Sequence, residues 1–173
     1  LAALDGTIMS TVMPTIITRL GGMEFYTWPF TIYMLASTIS IIIFGKISDL
    51  FGRKLVFNTG IGIFLIGSLL SGLSPGMVYL ILFRLIQGIG GGILLTVSFI
   101  MVAELFPVWE RGKYMGILAS VFGIASIIGP LIGGYITEHI GWPWVFYVNI
   151  PIGILSFCMI WRYFPDIAPV TQS

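Results

Sequence analysis

The stretch Gly45-Lys46-Ile47-Ser48-Asp49-Leu50-Phe51-Gly52 decides the fold, because its pattern occurs twice. Gly134-Tyr135-Ile136-Thr137-Glu138-His139-Ile140-Gly141 repeats it 89 positions later (45 to 134): Gly, any residue, Ile, Ser or Thr, Asp or Glu, two of any kind, Gly. The first copy runs on into Arg53-Lys54 and the second into Trp142-Pro143. The first copy follows a charge-free run, residues 25–44, and the second closes another, residues 114–136.

Working outward, the rest of the chain has the same character. Residues 55–73 are again free of charge, and residues 77–103 contain only Arg84. Residues 144–164 form a shorter apolar run, interrupted by Pro151 and carrying Arg162 near its end. The first run extends from the start of the chain to about residue 17 and contains Asp5. It has neither an initiating Met nor a basic flank, so this helix is expected to begin upstream rather than to be a signal peptide. Runs of 19–23 residues match a hydrocarbon core about 30 Å thick at about 1.5 Å per residue. Six membrane-spanning helices with short connections are predicted.

Composition agrees. Of 173 residues, 57% are hydrophobic and 9% charged, with a mean hydropathy of +1.05. A water-soluble domain needs about a quarter of its residues charged. The single cysteine, Cys158, excludes a disulfide scaffold. A net charge of +1 offers nothing to nucleic acid. No metal-ligand spacing, phosphate-binding loop or cofactor fingerprint is present, so neither an enzyme nor a cofactor is expected.

The charges set an orientation. Lys46, Arg53 and Lys54 follow the second helix, Arg111 and Lys113 the fourth, and Arg162 ends the sixth. The alternate connections hold only Arg19. Positively charged loops stay inside, which places both ends of this segment in the cytoplasm. Trp28, Trp142 and Trp144 then fall at the outer interface, and Trp109 and Trp161 at the inner one.

With three helices per unit, the repeat maps residues 1–76 onto 77–164 in opposite topology, leaving 165–173 as a cytoplasmic tail. Inverted repeats of this kind build secondary transporters. The run GKISDLFGRK (45–54) resembles the motif between helices 2 and 3 of the major facilitator superfamily, and ELFPVWERG (104–112) resembles its companion after helix 4. Gly45 would allow close helix approach and Gly52 a tight turn. The resemblance implies a cytoplasmic gate of Gly45, Asp49, Gly52, Arg53, Glu104 and Arg111. It also implies a fold: an all-α membrane protein forming the six-helix N-terminal bundle, built from a 3+3 inverted repeat.

Four further segments narrow the resemblance. In RLIQGIGGG (84–92), Arg84 lies inside a span, where an arginine by default marks function. Gln87 is one turn on, and Gly88 and Gly92 form a close-packing pair. Asp5 is the only carboxylate within the spans. Counting rise per residue places it within several ångströms of the depth of Arg84, so a direct or water-bridged ion pair is expected. Gly116, Ala125, Gly129, Pro130, Gly133 and Gly134 resemble the antiporter motif of drug:proton exporters, with Pro130 removing a helix hydrogen bond. Together with LDGTI (4–8) and WPWVFYVNIPIG (142–153), they resemble the fourteen-helix drug:proton antiporter branch.

That resemblance implies proton-coupled efflux of amphipathic or cationic drugs across the cell membrane, a bacterial one being the expected setting. Asp5, Arg84 and Gln87 would form the proton-coupling or substrate site. Protons, an amphipathic small molecule, the lipid bilayer and a C-terminal bundle of the same transporter are the implied partners. The alternatives are an exporter of a lipid, siderophore or antibiotic intermediate, or a non-transporting six-helix membrane subunit. Met9, Met13, Phe30, Tyr33 and Met34 are candidate cavity-lining residues; His139 reads as a surface residue and Cys158 as packing.

Overall fold

The computed structural model describes residues 1–164; the expected tail, 165–173, lies outside them. The described chain is helical: α1 (Ala2–Leu20), a 3-10 turn (Met23–Phe25), α2 (Trp28–Phe51), α3 (Arg53–Gly72), α4 (Met77–Leu105), α5 (Val108–His139), α6 (Trp144–Tyr147) and α7 (Asn149–Tyr163). Five segments are long and apolar enough to cross a membrane: Met23–Phe51, Arg53–Gly72, Met77–Leu105, Val108–His139 and Trp144–Tyr163. Helix α1, 19 residues or about 28 Å long, falls outside that group because Asp5, Arg19 and several Ser and Thr dilute it. It joins the bundle through one apolar face: Ile8, Met9, Val12, Met13 and Ile16 are buried with Met77, Leu80, Ile136, Val145 and Phe146.

Three boundaries differ from the sequence reading. The repeated segment is not a loop. Residues 45–51 continue α2, and residues 134–139 continue α5. Only the closing glycines leave the helix: Gly52 at φ 92° and Gly141 at φ 130°, a region that residues with a Cβ avoid. Gly52 alone separates α2 from α3. The third difference is in the last span, which Pro151 does not interrupt: α6 passes into α7 at Val148 with helical dihedrals, φ −57° and ψ −30°. Pro151 occupies the first turn of α7, where a missing N–H costs nothing.

The two copies of the repeat also match in what they bury. Ala36 and Ser40 of α2 lie against α4, and Ala125 and Gly129, each 89 positions later, lie against α1. The reason for small residues is the same in both places, close backbone approach between membrane helices. A Cβ at Gly88 would sit 2.6 Å from the Tyr33 carbonyl oxygen, and one at Gly92 2.8 Å from Ser40 Cβ. One at Gly129 would sit 2.8 Å from Thr7 Cβ, and at Gly133 3.1 Å from Ile8 Cγ2. The opposite face of α4 crosses α3 as tightly, with Gly67 against the Gln87 backbone and Gly90 against the Phe64 backbone. Helix α4 is therefore fixed on two sides, which holds Arg84 and Gln87 at one depth.

Candidate functional site

Arg84 and Gln87 are three residues apart on α4 and share a face. Asp5 of α1 meets them there. Arg84 Nη1 donates to Asp5 Oδ2 at 2.5 Å and to Gln87 Oε1 at 2.7 Å, and Gln87 Nε2 donates to Asp5 Oδ1 at 2.8 Å. The expected pair is thus direct, and Gln87 closes a three-member ring around it. The Arg84 and Asp5 side chains are 1% and 3% exposed. Tyr33 of α2 lays its ring 4.2 Å from the Arg84 guanidinium carbon, a cation–π contact strengthened by exclusion of water. The Tyr33 hydroxyl is buried and has no hydrogen-bond partner.

Two members of this cluster went unnoticed in the sequence reading. Asn149, the first residue of α7, points Nδ2 at Asp5 Oδ1 (3.4 Å) and at Ser68 Oγ of α3 (3.1 Å). Ser68 donates to the Phe146 carbonyl oxygen at 2.7 Å. Every polar side chain around Asp5 except Arg84 is neutral, so the side-chain charge pair sits inside a shell of amides and hydroxyls. Such a shell satisfies a buried pair whose desolvation would otherwise outweigh its attraction.

A second cluster forms where the basic residues gather. Arg53, the first residue of α3, reaches both α2 and α4. Its Nε lies 3.1 Å from each oxygen of Glu104 and its Nη2 2.6 Å from Glu104 Oε1. The same guanidinium donates to Ser48 Oγ and to Asp49. Of the expected gate, Asp49, Arg53 and Glu104 come together and Gly52 supplies the turn. Arg111 does not join them. Its Nε donates to the Phe106 carbonyl oxygen at 3.0 Å, satisfying one of the acceptors left free at the end of α4. Gly45 does not mediate a tight approach either: a Cβ there would meet only Thr96 Cγ2, at an ordinary 3.6 Å.

The helix 5 motif divides. Gly129 and Gly133 pack on α1, where Thr7 Oγ1 lies 2.9 Å from the Ala125 carbonyl oxygen. Gly116 and Gly134 have open space around them, and α5 continues as one helix through Pro130. Met9 and Met13 are core residues rather than cavity lining, and Met34 is exposed. His139 is exposed and stacked on Tyr135; Cys158 is also exposed, not packed. Among the described residues no group of three His, Cys, Asp or Glu could hold a metal ion.

A polytopic helical bundle closed around a buried carboxylate–arginine pair, with a second ion cluster at its basic end, defines a class: the helical membrane-transport folds. The family model of the Major Facilitator Superfamily matches residues 1–173, and the chain belongs to that superfamily. Over 166 residues it is 46% identical to "Multidrug resistance protein 3" of Bacillus subtilis (strain 168), covering 96% of this chain and 32% of that protein. It is 45% identical over 161 residues to "Multidrug transporter protein MdtP" of the same organism, covering 93% and 30%. It is 41% identical over 159 residues to an "Acurin A biosynthesis cluster MFS-type transporter" of Aspergillus aculeatus, covering 92% and 29%. The chain spans about a third of the length of these relatives, and the fold is that of the superfamily's N-terminal bundle.

Proposed function

We propose that this bundle is the N-terminal half of a proton-coupled exporter of amphipathic or cationic drugs, working by alternating access against a second bundle. The observation that carries the reading is the enclosed Asp5–Arg84–Gln87 ring, a carboxylate held by one cation and neutral amides inside a membrane bundle. A carboxylate in that setting can exchange a proton when substrate or a rearrangement changes its surroundings. The names of the two Bacillus subtilis relatives support drugs as the cargo class. Asp5 carries the proton, Arg84 and Gln87 set its affinity, and the Asp49–Arg53–Glu104 cluster latches the cytoplasmic side. Residues 1–76 and 77–164 act as the two inverted units, with both ends of the segment cytoplasmic and the bundle in a bacterial cell membrane. Gly116 and Gly134, open in this half, face the partner bundle.

The test uses the complete transporter in vesicles with an imposed pH gradient and a fluorescent cationic dye. Asp5→Asn keeps size and hydrogen-bonding capacity but cannot titrate, so gradient-driven efflux should vanish while expression is retained. Efflux that persists in Asp5→Asn would move coupling elsewhere in the protein. A second reading, export of a biosynthetic product on the same scaffold, is favoured by the likeness to the acurin A cluster transporter; in that case the dye would not move even in the native protein.

A further inference from the structure

Asn149 has an oxygen that the site, as it stands, does not use. The side chain is wholly enclosed. Its Nδ2 serves Asp5 and Ser68, whereas its Oδ1 is buried and has no partner. Leaving a buried acceptor unmade is costly, and in a folded protein such a group calls for an explanation.

The chemistry of Asp5 supplies one. An ionised carboxylate only accepts, and here it has donors: Arg84 Nη1, Gln87 Nε2 and, at a long 3.4 Å, Asn149 Nδ2. A protonated carboxyl must donate, and it then needs an acceptor. Gln87 Oε1 is already taken by Arg84. Two acceptors in the cluster lack a partner, the Tyr33 hydroxyl and Asn149 Oδ1, and of these side chains the Asn149 amide is the one hydrogen-bonded to Asp5. A half-turn of the amide exchanges Nδ2 for Oδ1 and presents that oxygen to the acid.

We infer that Asn149 is a positioning residue for the proton site, its amide turning to accept from Asp5 when Asp5 is protonated. This rests on Asp5 being the proton carrier, as proposed above. The turn leaves Nδ2 where Oδ1 now stands, so one end of the amide is unpartnered in either orientation; what the turn gains is a short O–H···O bond to the acid in place of the 3.4 Å contact to the carboxylate. The groups facing Asp5 are few. Helix α4 brings Arg84 and Gln87, and α2 brings Tyr33 against Arg84. From α3, α6 and α7 come only Ser68, the Phe146 carbonyl and Asn149. Helix α5 meets α1 through the uncharged Ala125 and Gly129.

The experiment is the pH profile of dye efflux by the complete transporter in vesicles, read for native protein, Asn149→Leu and Asn149→Ser. Asn149→Leu keeps volume but removes the acceptor, so the midpoint should move toward acid by about one pH unit. Asn149→Ser keeps an oxygen that can accept and should recover part of the shift. It also provides the test if the leucine variant does not accumulate. A midpoint that stays in place, or moves alkaline, in a variant that accumulates overturns the inference. Failure of the underlying reading looks different: efflux then survives Asp5→Asn, whatever Asn149 does.

Discussion

Arg53 and Arg84 are the two enclosed arginines of this bundle, and they are enclosed for opposite purposes. Both guanidiniums reach a carboxylate on a distant helix. Arg53, 8% exposed, faces Asp49 and Glu104, which are 49% and 29% exposed, so its partners keep much of their water. Arg84 faces a single carboxylate that has lost its water almost entirely, inside a shell of neutral amides and hydroxyls. A two-carboxylate clamp at a helix turn ties α2, α3 and α4 together and gives way easily to solvent. A single desolvated pair has nowhere else to go. Removing either charge therefore leaves the other buried without a counter-charge.

The largest consequence falls on Arg84. Arg84→Met keeps the length of the side chain and abandons Asp5 as a buried, uncompensated charge, which costs about 3–5 kcal/mol. The bundle should unfold at markedly lower temperature in detergent, and efflux by the complete transporter should be lost. Adding Asp5→Asn to Arg84→Met removes both charges and should restore most of the stability without restoring efflux. A single Arg84→Met variant as stable as the native protein would erase the contrast between the two arginines.

Glycine positions sharpen the comparison by separating packing from electrostatics. Gly92→Ala forces a methyl against the α2 backbone at Ser37 and against Ser40, and overpacking of this kind costs about 1–3 kcal/mol. Because Gly88 and Gly92 set the α2–α4 distance, the Tyr33 ring over Arg84 should shift with it. At Gly116 a Cβ meets nothing, so Gly116→Ala should leave the melting temperature unchanged or slightly raised through helix propensity. Equal destabilisation by the two substitutions would mean that glycine is needed for something other than helix approach.

These contrasts show why some of the site was legible in the sequence and some was not. Asp5 and Arg84 stand out because a charge within an apolar span is costly, and rise per residue suffices to bring them to similar depth. Gln87 follows from its place one turn beyond Arg84. Asn149, Ser68 and Tyr33 carry no such mark, because neutral polar and aromatic residues are common in membrane helices. The meeting of Asn149 with Asp5 and Ser68 joins three helices far apart in the chain, α7, α1 and α3, which no local spacing reveals. Arg111 misled for a related reason: a basic residue beside a helix turn can bind a carboxylate or the free backbone carbonyls, and Phe106 offers a nearer acceptor. The repeat was legible as a pattern, but its residues look like a loop only because Lys, Ser and Asp are read as loop-forming. In the fold they complete α2, and Gly52 alone makes the turn.

The smallest effect belongs to Asp49. It is half exposed and is only one of three partners of Arg53, with Glu104 and Ser48 remaining when it is removed. Exposed pairs contribute about 0–1 kcal/mol, so Asp49→Asn should scarcely change the melting temperature. Any balance between two states of the transporter should move by no more than about fivefold, the factor that 1 kcal/mol supplies. Salt separates this cluster from the buried one. Raising ionic strength from 0.1 M to 1 M shortens the screening length from about 10 Å to about 3 Å. The difference between native protein and Asp49→Asn should therefore shrink with salt, whereas the difference between native protein and Arg84→Met should not. The measurement is thermal unfolding of all three proteins across that salt range. An Asp49→Asn effect that is large and indifferent to salt would place Asp49 in the same desolvated class as Asp5, and the two arginines would then be doing the same work.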